Sequence, residues 1–313
     1  MQNNKRIAKS INYHIDRCGL TPFLSNDSVT EIMLNPDGNC WIDEFGKPYY
    51  ISHKIEPILA QNLINAVADS VQLIVDRDHP ILECELYSDG SRFEGVVPPV
   101  VPNVSFTIRK KATRVFTLED YLDSKIITQE QFDYICQAIS ERKNILVVGG
   151  TGSGKTTLVN AILAKMAELF PHERHLILED TNELQPSAEN SVVFRTHPRA
   201  NVTMRELLRA TLRYNPNRII IGEVRGGEAL ELLKAWNTGH EGGIATVHAN
   251  SAALGLERIE QCIEEVTPIA NKRMIASTVH TLIYIEKSHE GRKIKEICEV
   301  VGYDGNQYLT NII

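Results

Sequence analysis

Ile7, Ile11 and Ile15 recur every four residues in a charged stretch, so residues 5–18 read as a helix with one apolar face. Gly19 is a plausible stop. Thr30–Leu34 and Cys40–Glu44 flank Asn35-Pro36-Asp37-Gly38, a run of turn formers. A second helix is expected from Glu56-Pro57, because proline is tolerated in a first turn. Ile58, Leu59, Leu63, Ile64, Val67 and Val71 form its apolar stripe. Leu82–Tyr87 and Arg92–Val97 read as a hairpin joined by Ser88-Asp89-Gly90-Ser91. In its second strand Phe93 and Val97 share a face, which leaves Arg92 and Glu94 on the other. A third strand, Val104–Arg109, turns Val104, Phe106 and Ile108 one way and Ser105, Thr107 and Arg109 the other. Arg92 and Arg109 therefore project from polar faces of neighbouring strands.

From about Thr128 strands and helices alternate. Ile145–Val148, Leu176–Leu178 and Ile219–Ile221 are apolar throughout, and Thr156–Phe170 reads as a helix. Continuous apolar strands suit a sheet covered on both faces, which points to a mostly parallel α/β domain. With 313 residues the chain is long enough for two domains. We expect an α/β domain over 1–112, a linker over 113–124 and a second domain over 125–313.

Composition narrows the class. The apolar fraction of 42% and charged fraction of 23% are those of a globular protein. No run approaches the length of a membrane span, and no signal-like apolar core follows Met1, so a cytosolic protein is expected. The six cysteines form no C-x-x-C pair, which argues against zinc and redox motifs. A net charge of −7, with neither half basic, argues against direct nucleic-acid binding. The clearest basic run, Arg109-Lys110-Lys111, fits either a solvated linker or a phosphate or lipid contact.

The segment after the first apolar strand carries the chemistry. Gly149, Gly150, Thr151, Gly152, Ser153, Gly154, Lys155 and Thr156 spell G-x-x-x-x-G-K-T, followed by Thr157 and an amphipathic helix. Glycines let the backbone curl so that its N–H groups face phosphate oxygens, and the helix adds its positive N-terminal end. Lys155 supplies a cation for the β- and γ-phosphates, and the Thr156 hydroxyl can ligate Mg2+. Ordinary residue frequencies give about one chance match per hundred chains of this length. The strand–loop–helix context makes this a nucleoside triphosphate site.

Hydrolysis needs more: a group that orients water, and charge near the γ-phosphoryl oxygens. Two acidic clusters stand at strand ends, Glu179-Asp180-Thr181-Asn182-Glu183 and Glu223 after Ile219–Ile221. Ligands of parallel sheets bind at the carboxyl ends of strands, where both clusters fall. His240 and His248 flank a glycine pair; a histidine at a strand end can hydrogen-bond a phosphate or an acidic partner.

In order, Gly-Gly-Thr-Gly-Ser-Gly-Lys-Thr-Thr, Leu-Glu-Asp-Thr-Asn-Glu, Ile-Gly-Glu-Val-Arg-Gly-Gly-Glu-Ala and Thr-Gly-His-Glu-Gly-Gly-Ile-Ala-Thr-Val-His-Ala-Asn-Ser occur along the chain. That order resembles the type II/IV secretion ATPase superfamily, and residues 235–250 are similar to its conjugative-transfer, TrbB-like branch. The resemblance implies a RecA-like ATPase domain preceded by a smaller α/β domain, and a homo-hexameric ring that binds ATP and Mg2+ between the two domains. It implies a motor for type IV secretion or conjugation that works at the inner membrane through partner proteins. A pilus-retraction or type II secretion motor, or a RecA-like DNA translocase, are the alternatives. By motif, Glu183 matches the family's catalytic glutamate and Glu223 its Walker B glutamate. His240 and His248 fall in its His box. Arg92 and Arg109 match arginines that reach the γ-phosphate, and Arg213 is a weaker candidate. Gly222 departs from the general P-loop pattern, in which an aspartate precedes the glutamate.

Overall fold

The computed structural model describes residues 2–44, 47–111, 115–197, 200–288 and 291–313. The chain divides into two compact units, Met1–Thr113 and Arg114–Ile313. Among the described residues no helix is long and apolar enough to cross a membrane.

The first unit runs α1 (Gln2–Arg17), α2 (Thr21–Leu24), β1 (Val29–Leu34), β2 (Asn39–Glu44), β3 (Tyr50–Lys54), α3 (Pro57–Ser70), β4 (Ile81–Glu85), β5 (Arg92–Val96) and β6 (Ser105–Arg109). Its strands form one sheet in the order β3-β2-β1-β6-β5-β4, with every pair antiparallel. One face carries Ile32, Ile42, Phe93, Phe106 and Ile108 and is covered by Ile11 and Ile15 of α1 and Leu63, Ile64 and Val67 of α3. The stripe expected on α3 holds except at its start: Ile58 is 66% exposed, and Ala60 faces the core instead. Helix α3 comes so close to the sheet that a Cβ on Gly95 would lie 3.2 Å from Ile64. On the opposite face Arg92 and Arg109 are directly paired across β5 and β6. Glu31 faces Arg109, and Glu85 faces Arg92. Like charges directly opposite cost stability in a sheet, and the flanking glutamates reduce that cost.

The second unit runs α4 (Leu118–Asp123), α5 (Gln129–Ser140), β7 (Ile145–Val148), α6 (Lys155–Leu169), β8 (His175–Glu179), β9 (Ser191–Arg195), α7 (Met204–Thr211), β10 (Arg218–Ile221), α8 (Glu228–Trp236), β11 (Ile244–Val247), α9 (Ala252–Glu264), α10 (Lys272–Thr278), β12 (Thr281–Ser288), β13 (Gly291–Tyr303) and β14 (Tyr308–Ile312). The expected linker begins at residues 113 and 114, outside the described residues. Its later part is not a linker: Thr117 and Asp120 form a capping box for α4, and Leu118 and Tyr121 are buried in the core of this unit.

The sheet order is β14-β13-β12-β7-β11-β10-β8-β9. Strands β12, β7, β11, β10, β8 and β9 run parallel, and β13 and β14 extend the sheet antiparallel. Both faces are covered, as the apolar strands require. Ile145 and Val147 join α4–α6 in one core, while Leu146 and Val148 join α7–α10 in the other. The chain leaves β7 for β8, returns through β10 and β11, and places β12 on the far side of β7. Strand order therefore reverses at β7, and the crevice for a ligand opens at its carboxyl end.

Candidate functional site

Residues 149–156 leave β7 at that reversal. Gly149 has no room for a side chain: a Cβ would lie 2.5 Å from both the Ile285 carbonyl oxygen and Ser153 Oγ. Gly152 and Gly154 have φ of +69° and +100°, the left-handed region that glycine enters without strain. Gly154 is the N-cap of α6, and no N-cap side chain takes up the first N–H groups of that helix. Ser153 Oγ is buried and has no hydrogen-bond partner among the described residues. The loop thus presents curled backbone, an unsatisfied hydroxyl and a helix N-terminus together.

Lys155 turns back into this loop. Its ammonium donates to the carbonyls of Gly149 at 2.8 Å and Gly150 at 3.0 Å and lies 3.2 Å from His248 Nδ1. The side chain is buried, and burial pulls its pKa down to about 8 against the opposing pull of Glu223 and Glu183. Thr156 donates its hydroxyl to Glu183 Oε2 at 3.0 Å.

Glu223, two residues beyond β10, faces the same loop. Its carboxylate lies 2.9 Å from His248 Nε2 and accepts from Arg225 at 2.7 Å. Burial would raise its pKa, but the Arg225 hydrogen bond and the nearby charges of Arg225, His248 and Lys155 hold it below the usual carboxylate range. His248 follows β11; burial, and then the Lys155 charge, keep its pKa below that of a free imidazole. Lys155, His248, Glu223 and Arg225 therefore form a continuous polar chain, which Arg225 extends to Asp180 at 3.5 Å.

The structure does not bring every expected residue to this cluster. His240 precedes β11, whereas His248 follows it. The four residues of β11 put roughly 13 Å between the two ends. The glycine pair beside His240 serves packing at the amino end of the sheet instead. A Cβ on Gly243 would lie 2.2 Å from the Ile219 carbonyl oxygen, and Gly242 and Gly243 both donate to Asn144 Oδ1. Arg213 likewise lies ahead of β10, on the amino side. Arg92 and Arg109 belong to the first unit. The acidic run at the end of β8 also divides: Glu179 is buried, Asp180 is exposed, and Glu183 accepts from the Thr156 hydroxyl.

Two participants had little signal in the sequence. Arg225 sits in a Gly-Glu-Val-Arg-Gly run, so an ion pair with Glu223, two residues before it, was the cue. Asn160 lies mid-helix on α6, four residues past the P-loop motif, and contacts the Glu183 backbone at 3.2 Å.

The donor set fits a nucleoside triphosphate, because it combines the glycine cradle, the buried Ser153 hydroxyl and the Lys155 ammonium. Among the described residues no group of three or more His, Cys, Asp or Glu could hold a metal by itself. Mg2+ at a phosphate site commonly takes one or two protein oxygens plus phosphates and water. Thr156 would be its protein ligand, with Glu183 beside it.

The sequence profile described as "Type II/IV secretion system protein" matches residues 16–294. The conjugal transfer protein TrbB of Rhizobium radiobacter is 45% identical over 287 residues, which cover 92% of this chain and 88% of that protein. The type IV secretion system protein PtlH of Bordetella pertussis is 31% identical, covering 90% of this chain and 92% of its own. The crystal structure of the VirB11 ATPase from the Brucella suis type IV secretion system is 29% identical, with a TM-score of 0.50 and coverage of 96% and 97%. With the profile spanning most of the chain and TrbB aligning along nearly all of it, the chain belongs to the type II/IV secretion system protein family and is TrbB-like within it.

Proposed function

We propose that this protein is an ATP-hydrolysing motor subunit of a type IV secretion or conjugation machine. One observation carries the catalytic part. At the strand ends of one sheet, a P-loop lysine, the Thr156–Glu183 contact of 3.0 Å and the Glu223–His248 pair converge within hydrogen-bonding reach. The triphosphate would lie along residues 149–156, its β- and γ-oxygens taking over the ammonium hydrogen bonds that Lys155 gives to Gly149 and Gly150. Mg2+, when bound, draws charge from the β- and γ-oxygens. Glu183, next to the Thr156 hydroxyl, orients the attacking water. Glu223 and His248 respond to the γ-phosphate, because His248 bridges Lys155 and Glu223.

The motor part rests on the relatives, whose names place them in secretion and conjugation systems. We assign Arg92 and Arg109 to the γ-phosphate in the closed, ATP-bound subunit. Two arginines directly opposite on one sheet face suit an anion, which would relieve their repulsion. Closure on ATP and release after hydrolysis would form the cycle, with γ-phosphate contacts supplying the differential affinity. The assembly is a homo-hexamer that works through inner-membrane components of the machine. Glu183→Gln tests the site: ATP binding is retained and steady-state phosphate release is lost. Undiminished phosphate release in that variant removes Glu183 from its role.

A further inference from the structure

The two glutamates that bracket the end of β8 have different surroundings. Glu183 is half-buried and meets the Thr156 hydroxyl. Glu179 is 2% exposed, and its Oε2 accepts from the backbone N–H of Glu183 at 3.0 Å and of Leu184 at 2.9 Å. From the other side, Asn160 on α6 is 4% exposed and donates through Nδ2 to the Glu183 carbonyl at 3.2 Å. Its Oδ1 accepts from Gln185 N–H at 2.8 Å. Residues 183–185 are thus held at four backbone atoms by two buried side chains, one on β8 and one on the P-loop helix.

The physical consequence is positional. A buried carboxylate is tolerated only while it is hydrogen-bonded, and buried backbone N–H groups need acceptors. Displacing the loop would strand all of these groups at once. The Asn160 contact also ties the loop to the helix that carries Thr156, so the Thr156–Glu183 distance is set by a closed circuit of bonds. Gly222 belongs to the same arrangement. A Cβ there would lie 3.2 Å from the Glu179 Cβ and 3.6 Å from the Leu178 carbonyl oxygen. An aspartate at 222, as in the general P-loop pattern, would compete with Glu179 for that space.

We infer that Glu179 and Asn160 are positioning residues that hold Glu183 over the Thr156 hydroxyl, and that residue 222 is glycine because the Glu179 side chain occupies the room beside it. This rests on the reading of Glu183 as the group that orients water. Glu183 carries out its chemistry through its carboxylate, while Glu179 and Asn160 act on its backbone.

The test is steady-state ATPase kinetics on the full chain, with binding of a fluorescent ATP analogue measured in parallel. Glu179→Ala and Asn160→Ala should each lower kcat by ~10- to 100-fold, the range that small misplacement of a reacting group produces. KM and analogue binding should stay within about twofold of the parent, since neither residue lines the phosphate loop. Glu179→Gln keeps an oxygen acceptor for both N–H groups and should recover most of the lost kcat. The Glu179→Ala/Asn160→Ala double variant should fall well short of the product of the single losses, because both hold one loop. The inference is overturned if kcat in Glu179→Ala is unchanged, if analogue binding falls together with kcat, or if Glu179→Gln loses as much as Glu179→Ala. Glu183→Gln, run alongside, separates the two readings. If it turns over normally, the role given to Glu183 fails; if it is inactive while Glu179→Ala is normal, only the positioning inference fails.

Discussion

The buried ammonium of Lys155 makes nucleotide affinity depend on pH. Burial brings its pKa down to about 8, against 10.5 for a free lysine. At pH 7 about nine-tenths of the side chains carry the proton; at pH 9.5 only about 3% do. A triphosphate in the loop favours the charged form and returns the pKa toward or above that of free lysine. Affinity should therefore fall about tenfold per pH unit above pH 8, and about 30-fold, or ~2 kcal/mol, between pH 7 and 9.5. Stability of the nucleotide-free chain should move the opposite way. The folded pKa is the depressed one, so between pH 8 and 10.5 the unfolded chain holds more protons, and stability gains from this residue as pH rises. Calorimetric titration of a non-hydrolysable ATP analogue at several pH values, in buffers of different ionisation enthalpy, reads both the affinity and the proton taken up. Lys155→Arg is the control, since guanidinium stays charged: its binding should be weaker overall but level with pH. An affinity for the parent that is constant from pH 7 to 9.5, with no proton uptake, would refute the reasoning.

Other expectations follow from particular contacts. His175 opens β8 fully buried, with neither ring nitrogen hydrogen-bonded among the described residues, and burial, then the Arg218 charge, bring its pKa down to about 4. Its depressed folded pKa means that stability is lost as pH falls from 6.5 toward 4; about 2 kcal/mol should go between pH 7.5 and 5. Urea unfolding at the two pH values should show a smaller loss in His175→Leu; an equal loss in both would contradict this. Gly243→Ala places a Cβ 2.2 Å from the Ile219 carbonyl oxygen and Trp236 Nε1, and should cost about 3 kcal/mol by overpacking, read as a drop in Tm. Arg109→Ala should slow turnover by ~10³-fold or more, as loss of a γ-phosphate arginine does, while leaving nucleotide binding partly intact. Full activity in that variant would remove the arginine from the site.

The phosphate loop was legible in the sequence because its chemistry is local. Curling a backbone around phosphates requires glycines at fixed spacing, and a lysine and a hydroxyl must follow at once. The covered parallel sheet was legible for a similar reason, since strands buried on both faces leave no polar position in Ile145–Val148 or Ile219–Ile221. The faces of Arg92 and Arg109 followed from the alternation of strand side chains, although their direct pairing needed the register of β5 against β6. Where composition was read as a unit, tertiary structure divided it. Glu179, Asp180 and Glu183 looked alike in sequence, but one is a buried acceptor, one an exposed ion-pair partner and one the neighbour of Thr156. His240 and His248 looked like a pair, yet a parallel strand between them carries them to opposite ends of the sheet. Residues 118–123 read as a linker because six residues give too little periodicity, until Leu118 and Tyr121 found a core to enter. The motif and the layering were written along the chain because they depend on neighbours in sequence. The company kept by Glu183, Glu179, Asn160 and His248 depends on which strand ends and helix turns meet in space, and only the packed sheet brings those together.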